Sequence, residues 1–166
     1  PLEGVQGSGM HMHFSLFHDD DNAFFSEDDP YNLSPVAKQF MAGLLRHAAE
    51  ITAITNQTVN SYKRLVPGFE APVHISWARN NRSGLIRVPI AKRGNASATR
   101  IEYRSPDPAC NPYLAFSVIL AAGLKGITEG YELAPEAAAN LFELDDTALT
   151  ALNIETLPQS LSDSLK

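Results

Sequence analysis

Residues 99–104 read Thr-Arg-Ile-Glu-Tyr-Arg, and no other segment restricts the fold of this chain as much. Side chains alternate between the two faces of a strand. Arg100, Glu102 and Arg104 therefore share one side, and Ile101 and Tyr103 share the other. One face can pack into a core while the other carries a carboxylate between two guanidiniums. Three adjacent charges on a short strand are costly unless phosphate, a carboxylate substrate or a metal ion neutralises them. The plainer alternative is a solvated edge strand, since most charged residues sit in water.

A second alternating segment favours a ligand. In Gly7-Ser-Gly-Met-His-Met-His-Phe-Ser-Leu16, His11, His13 and Ser15 share a face, and Met10, Met12, Phe14 and Leu16 share the opposite one. Two imidazoles and a hydroxyl in a row form a ligand-type constellation. A hard divalent ion would add carboxylate oxygens such as those of Glu102. Between these segments lies Asn60–Pro72, which carries Lys63, Arg64 and Glu70. Punctuated by Pro67, Gly68 and Pro72, it is predicted to be an ordered loop and not a helix. Strand-like runs follow at Ile75–Ala78 and Leu85–Val88, and Arg87 points away from the core face of its β-branched neighbours. Arg64, Arg82, Arg87, Arg100 and Arg104 make a polyanion-binding set in a chain of formal net charge −6.

Four stretches carry a resemblance: Gly7–Ser15, Asn60–Pro72, Asn81–Pro89 and Arg100–Tyr113. In order and spacing they resemble class I glutamine synthetases over essentially the whole chain. That family makes glutamine from L-glutamate and ammonium. ATP phosphorylates the γ-carboxylate, and ammonia then displaces phosphate. Such chemistry is largely positioning and charge neutralisation, which suits divalent metals and several arginines.

The resemblance implies a role for each matching residue. His11 and Glu102 would ligate Mg2+ (or Mn2+). His13, Ser15, Arg82, Arg87 and Arg100 would contact ATP. Gly7, Arg64, Glu70, Arg82 and Arg104 would bind glutamate, with Arg64 and Arg104 on its carboxylates. Glu70 and Arg82 would be catalytic, Glu70 as a flap carboxylate that closes the site and takes a proton from ammonium. Related γ-glutamyl–amine ligases would keep these residues and change the nucleophile to an amine. A non-catalytic homologue would have little reason to hold so costly a charge cluster.

Three departures from the family pattern stand out. Gln6 replaces an asparagine before the Gly-Ser-Gly turn, and the two-residue longer stretch Ala91–Ala98 lacks the family's lysine at its usual place, with Lys92 and Arg93 as candidate substitutes. Phe142 stands where some bacterial members carry an adenylylated tyrosine, so no adenylylation is expected there. By resemblance residues 1–166 are a partial catalytic domain, lacking the β-grasp domain and first catalytic strands. Alone it should be inactive, and the full-length protein a cytoplasmic homo-dodecamer.

Size and composition are compatible with that reading. At 166 residues and 44% apolar, the chain has the size of one domain with enough apolar surface for a core. Cys110 is the only cysteine, so there is no internal disulfide, and a packing role suits it better than a nucleophilic one. The acidic balance disfavours nucleic acid. No run of eighteen apolar residues exists for a membrane span, and no signal peptide opens the chain.

The expected fold is α+β, an antiparallel sheet whose charged face lines the site, backed by two long helices. The first helix follows Ser34-Pro35 and carries Val36, Phe40, Leu44, Ala48 and Ile51 to before Asn56. The second follows Asp107-Pro108 through Leu114, Val118, Ala121, Ala122 and Leu124 to about Glu129. The acidic run Asp19–Pro30 reads as a solvated turn and not a calcium loop. His18, His47 and His74 are expected to be surface or satisfied residues. Short helices are predicted at Pro135–Asn140, Asp145–Leu152 and Pro158–Leu165.

Overall fold

The computed structural model describes residues 5–67, 71–79, 82–90, 95–137 and 140–166. Strands β1 (Met12–Phe14), β4 (His74–Ala78), β5 (Gly84–Arg87) and β6 (Ile101–Tyr103) form one sheet in the order β1-β6-β5-β4. A separate hairpin pairs β2 (Phe17–His18) with β3 (Asp21–Asn22). Asp19 at φ 53 and Asp20 make its turn, within the acidic run read as a solvated turn. Asn22 then ties the hairpin to residues 96–99, its side-chain amide donating to Ala96 O at 3.0 Å and Thr99 O at 2.8 Å.

The α+β reading holds, with one pairing different. β1–β6 and β5–β6 are antiparallel, but β4 and β5 run parallel, so the sheet is mixed. A short connection favours antiparallel neighbours. Yet six Cα steps from Ala78 to Gly84 reach roughly 20 Å, and four residue steps of β4 rise about 13 Å. Residues 79–83 are thus long enough to bring the chain back to the His74 end.

Two helices back the sheet: α1 (Pro35–Arg46) and α4 (Pro112–Glu129). Ser34 caps α1, its hydroxyl accepting from Ala37 N at 3.1 Å, with Pro35 in the first turn where no N–H is needed. Asn111 caps α4, and Gly130 ends it at φ 65, a left-handed position that glycine adopts without strain. The expected single helix up to Asn56 is broken. His47, at φ −100 and ψ 11, separates α1 from α2 (Ala48–Thr55). Apolar spacing runs unchanged across the break, which is why periodicity alone reads one helix.

A second correction falls on Asn60–Pro72. Val59–Arg64 is a helix, α3, opened by a capping box in which Thr58 and Ser61 bond each other's backbone N–H. The prolines and glycine that suggested a loop all lie beyond its end. Towards the C-terminus come α5 (Asp146–Ala151) and α6 (Leu161–Ser164), both shorter than expected. No helix is found over the described part of 135–140; a 3-10 turn, Leu141–Glu143, follows.

The core lies between the sheet and the α1/α4 pair. Met12, Ile86, Ile101 and Tyr103 from the strands meet Phe40, Met41, Leu44, Ala115 and Ile119 from the helices. Phe40 sits centrally, 5.4 Å from the Phe24 ring and 6.1 Å from Phe14. The buried face of α4 is Ala115, Ile119, Ala122, Gly123 and Gly126, while Leu114 and Leu124 are exposed. The outer edge of β4 is covered by residues from near the C-terminus: Ile75 N donates to Glu155 O and Leu157 N to Val73 O, both at 2.8 Å. An edge so covered is closed to pairing with another chain.

Candidate functional site

Register puts the charged side chains together. His13 lies opposite Glu102, and Glu102 lies opposite Arg87, so three strands contribute neighbours to one sheet face. Met12, Tyr103 and Ile86 form the matching row on the core face. The alternation predicted for β1 and β6 is what the sheet displays.

Glu102 is the centre of this face. It is 4% exposed, although ionised carboxylates are rarely buried unless paired. His11 Nδ1 lies 3.0 Å from Oε1 and His13 Nε2 3.7 Å from it. Arg87 Nε lies 3.0 Å from Oε2, and Arg104 Nε 4.0 Å away. Arg100 Nε donates to His13 Nδ1 at 3.3 Å and its Nη1 to Ala98 O at 3.1 Å. Arg104, itself buried, donates to the main-chain carbonyls of Arg82 and Gly84. Arg82 thereby joins the site through its backbone, and its side chain is exposed. Ser15 lies just past β1 and is exposed.

A second cluster adjoins the first. Arg64, in the last turn of α3, is 7% exposed. Its Nη1 donates to Ser105 O at 2.7 Å and Pro106 O at 3.3 Å, and its Nη2 to Arg104 O at 3.2 Å. Burial, and the neighbouring Arg104 charge, draw its pKa down, while Asp107 opposes them. Gly7 lies beside it; a Cβ there would be 3.2 Å from Arg64 Cγ. The structure thus brings Gly7, Arg64 and Arg104 together, and separately His11, His13, Arg87, Arg100 and Glu102, with Arg104 common to both. Glu70, Lys92 and Arg93 lie outside the described residues.

His11 and Glu102 fit part of a coordination shell for a hard divalent ion. Burial and Arg104 hold the His11 pKa below its ordinary value, against the pull of Glu102, which favours the neutral ring that a metal ligand needs. Among the described residues, no three His, Cys, Asp or Glu side chains are grouped to hold a metal. The pair would supply two ligands at most, and phosphate oxygens and water are the usual remainder for magnesium.

The Ser105 and Pro106 carbonyls were not legible beforehand, because main-chain acceptors leave no residue-type signal. His74 was also misjudged: it is 4% exposed, with no hydrogen-bond partner for Nδ1, and so neither a surface nor a satisfied histidine. Phe142 packs near it, ring centroids 6.2 Å apart, and offers no hydroxyl.

A buried carboxylate ringed by guanidiniums and imidazoles on an α+β sheet defines an anion-handling type of domain. Comparison with known proteins narrows the class. The glutamine synthetase catalytic domain matches residues 1–166, and the chain belongs to that family. It is 53% identical over 166 residues to a glutamine synthetase of Thermotoga maritima, covering 100% of this chain and 37% of the relative. A glutamine synthetase of Mycolicibacterium smegmatis is 55% identical with the same coverage. One from Methanosarcina mazei is 53% identical over 165 residues, 99% of this chain and 36% of the relative. The chain thus spans little more than a third of the length of these curated relatives.

Proposed function

We propose that the full-length protein joins ammonia to the γ-carboxylate of L-glutamate at the expense of ATP, through γ-glutamyl phosphate. The observation that carries this reading is buried Glu102, with His11 and Arg87 each 3.0 Å away, in a chain matching the catalytic domain throughout. A γ-carboxylate oxygen takes the terminal phosphoryl group of ATP and ADP leaves. Ammonia then attacks the acyl carbon, and inorganic phosphate departs.

In this scheme each cluster has a task. Arg64 and Arg104 hold the carboxylates of glutamate, with the Gly7 backbone beside them. Arg82, Arg87 and Arg100 neutralise the phosphates as charge moves between oxygens, and His13 and Ser15 contact the nucleotide. His11 and Glu102 hold Mg2+ or Mn2+, which supplies charge neutralisation at the phosphates when bound. Glu70 closes over the acyl phosphate, keeps water from it and accepts a proton from ammonium. By the same resemblance the assembly is a cytoplasmic homo-dodecamer, and residues 1–166 alone are inactive as a partial catalytic domain.

The test is phosphate release from ATP by the full-length protein with glutamate and magnesium, adding ammonium or putrescine in turn. Release with ammonium supports the proposal. Release only with putrescine makes it a γ-glutamyl–amine ligase, and silence with both leaves a non-catalytic homologue.

A further inference from the structure

Gly9 draws its importance from Arg64, and its role rests on the reading of Arg64 as a substrate-carboxylate residue. Nothing in the backbone calls for glycine at position 9. Its φ lies outside the left-handed region, and the residue is exposed. What calls for it is Arg64. A Cβ on Gly9 would lie 2.8 Å from Arg64 Cζ, 3.3 Å from Nε, and closer still to Nη2.

An arginine tip on a surface would swing aside from a new methyl group at little cost. This one cannot do so freely. It is buried, and it donates to the carbonyls of Arg104, Ser105 and Pro106. Moving it breaks charge-assisted hydrogen bonds in a place where water does not replace them. Nor does the glycine turn have room to retreat, because Met10 N donates to Pro106 O at 2.9 Å. The same carbonyl thus anchors the turn and the guanidinium.

We propose that Gly9 is a positioning residue: its missing side chain leaves the space that fixes the Arg64 guanidinium for an anionic substrate. Gly7 meets only the stem of Arg64, whereas Gly9 meets the charged head. Gly9 therefore decides where the donors of Arg64 point.

A double-mutant cycle in the full-length protein tests this. Gly9→Ala should lower kcat/KM for glutamate on the order of 10²-fold, as a misplacement of about 1 Å does. KM for ATP should stay within about twofold of the parent, because the lost interaction touches one substrate. In an Arg64→Ala background, Gly9→Ala should have no further effect on glutamate. Thermal unfolding of the same four proteins reads the contact without catalysis: Gly9→Ala lowers the midpoint, and Arg64→Ala removes that loss. Where Gly9→Ala does not fold, recovery in the double variant supports the proposal and failure to recover overturns it. Additive effects, or glutamate and ATP KM rising together, also overturn it. If the parent protein shows no ligase activity, the proposed function falls and the unfolding cycle alone decides about Gly9.

Discussion

Glu102 carries its negative charge among residues that would otherwise repel one another. Arg87 and Arg104 approach one oxygen and His11 the other. Removing one partner of a buried pair leaves uncompensated charge, which is far more damaging than losing a surface pair. Glu102→Ala should therefore reduce turnover of the full-length protein on the order of 10²-fold or more, since it deletes the proposed metal ligand together with the centre of the charge cluster. Arg104→Ala should behave differently. It adjoins Arg64 through its own carbonyl, so it should raise KM for glutamate roughly tenfold or more while KM for ATP changes little. Steady-state kinetics against each substrate separate the two. Parental turnover in the first variant, or an effect of the second confined to ATP, would reverse the assignments.

Packing of α1 on α4 shows how an element's face is chosen. The buried face of α4 is built mainly from small residues, Ala115, Ala122, Gly123 and Gly126, while the long apolar side chains Leu114 and Leu124 are exposed. The two helices cross so closely that a Cβ on Gly43 would meet Ala122 O and come within 2.9 Å of Gly126 N. Only backbone against backbone fits at that crossing, and the neighbouring Phe40 ring fills the space beside Gly123. Gly43→Ala should thus destabilise the protein by about 1–3 kcal/mol through overpacking, despite alanine's better helix propensity. Urea unfolding measures this; a stabilised variant would mean the helices separate easily. The start of α1 was readable from Ser34-Pro35 and the strand faces from alternation, although α4 begins at Pro112 and not directly after Asp107-Pro108. The break at His47 and the short helix α3 were not, because one depends on a residue's conformation and the other on a box of only two hydroxyl side chains.

At the scale of the molecule, His74 joins β4 to segments far along the chain. It bridges to Thr156 and faces the Phe142 ring. Burial holds its folded-state pKa below the ordinary 6.5, so the unfolded chain binds the proton more readily. The associated stability is complete above pH 6.5 and is lost as pH falls through the lowered folded-state value. His74→Gln should flatten this part of the acid dependence of the unfolding midpoint; an unchanged slope would assign it to other groups. The site as a whole was legible in its residue types but not in its assembly. Alternation assigned His11, His13, Arg100, Glu102 and Arg104 to faces, yet no local pattern says that β1 pairs with β6. His13 meets Glu102 roughly 90 positions later in the chain. On a ribosome adding about 5–20 residues per second, β1 emerges on the order of 5–20 s before its partner strand. Met12 and Phe14 spend that interval without the strand that pairs with them. The nascent chain cannot complete its charged face until nearly two-thirds of this segment has been synthesised.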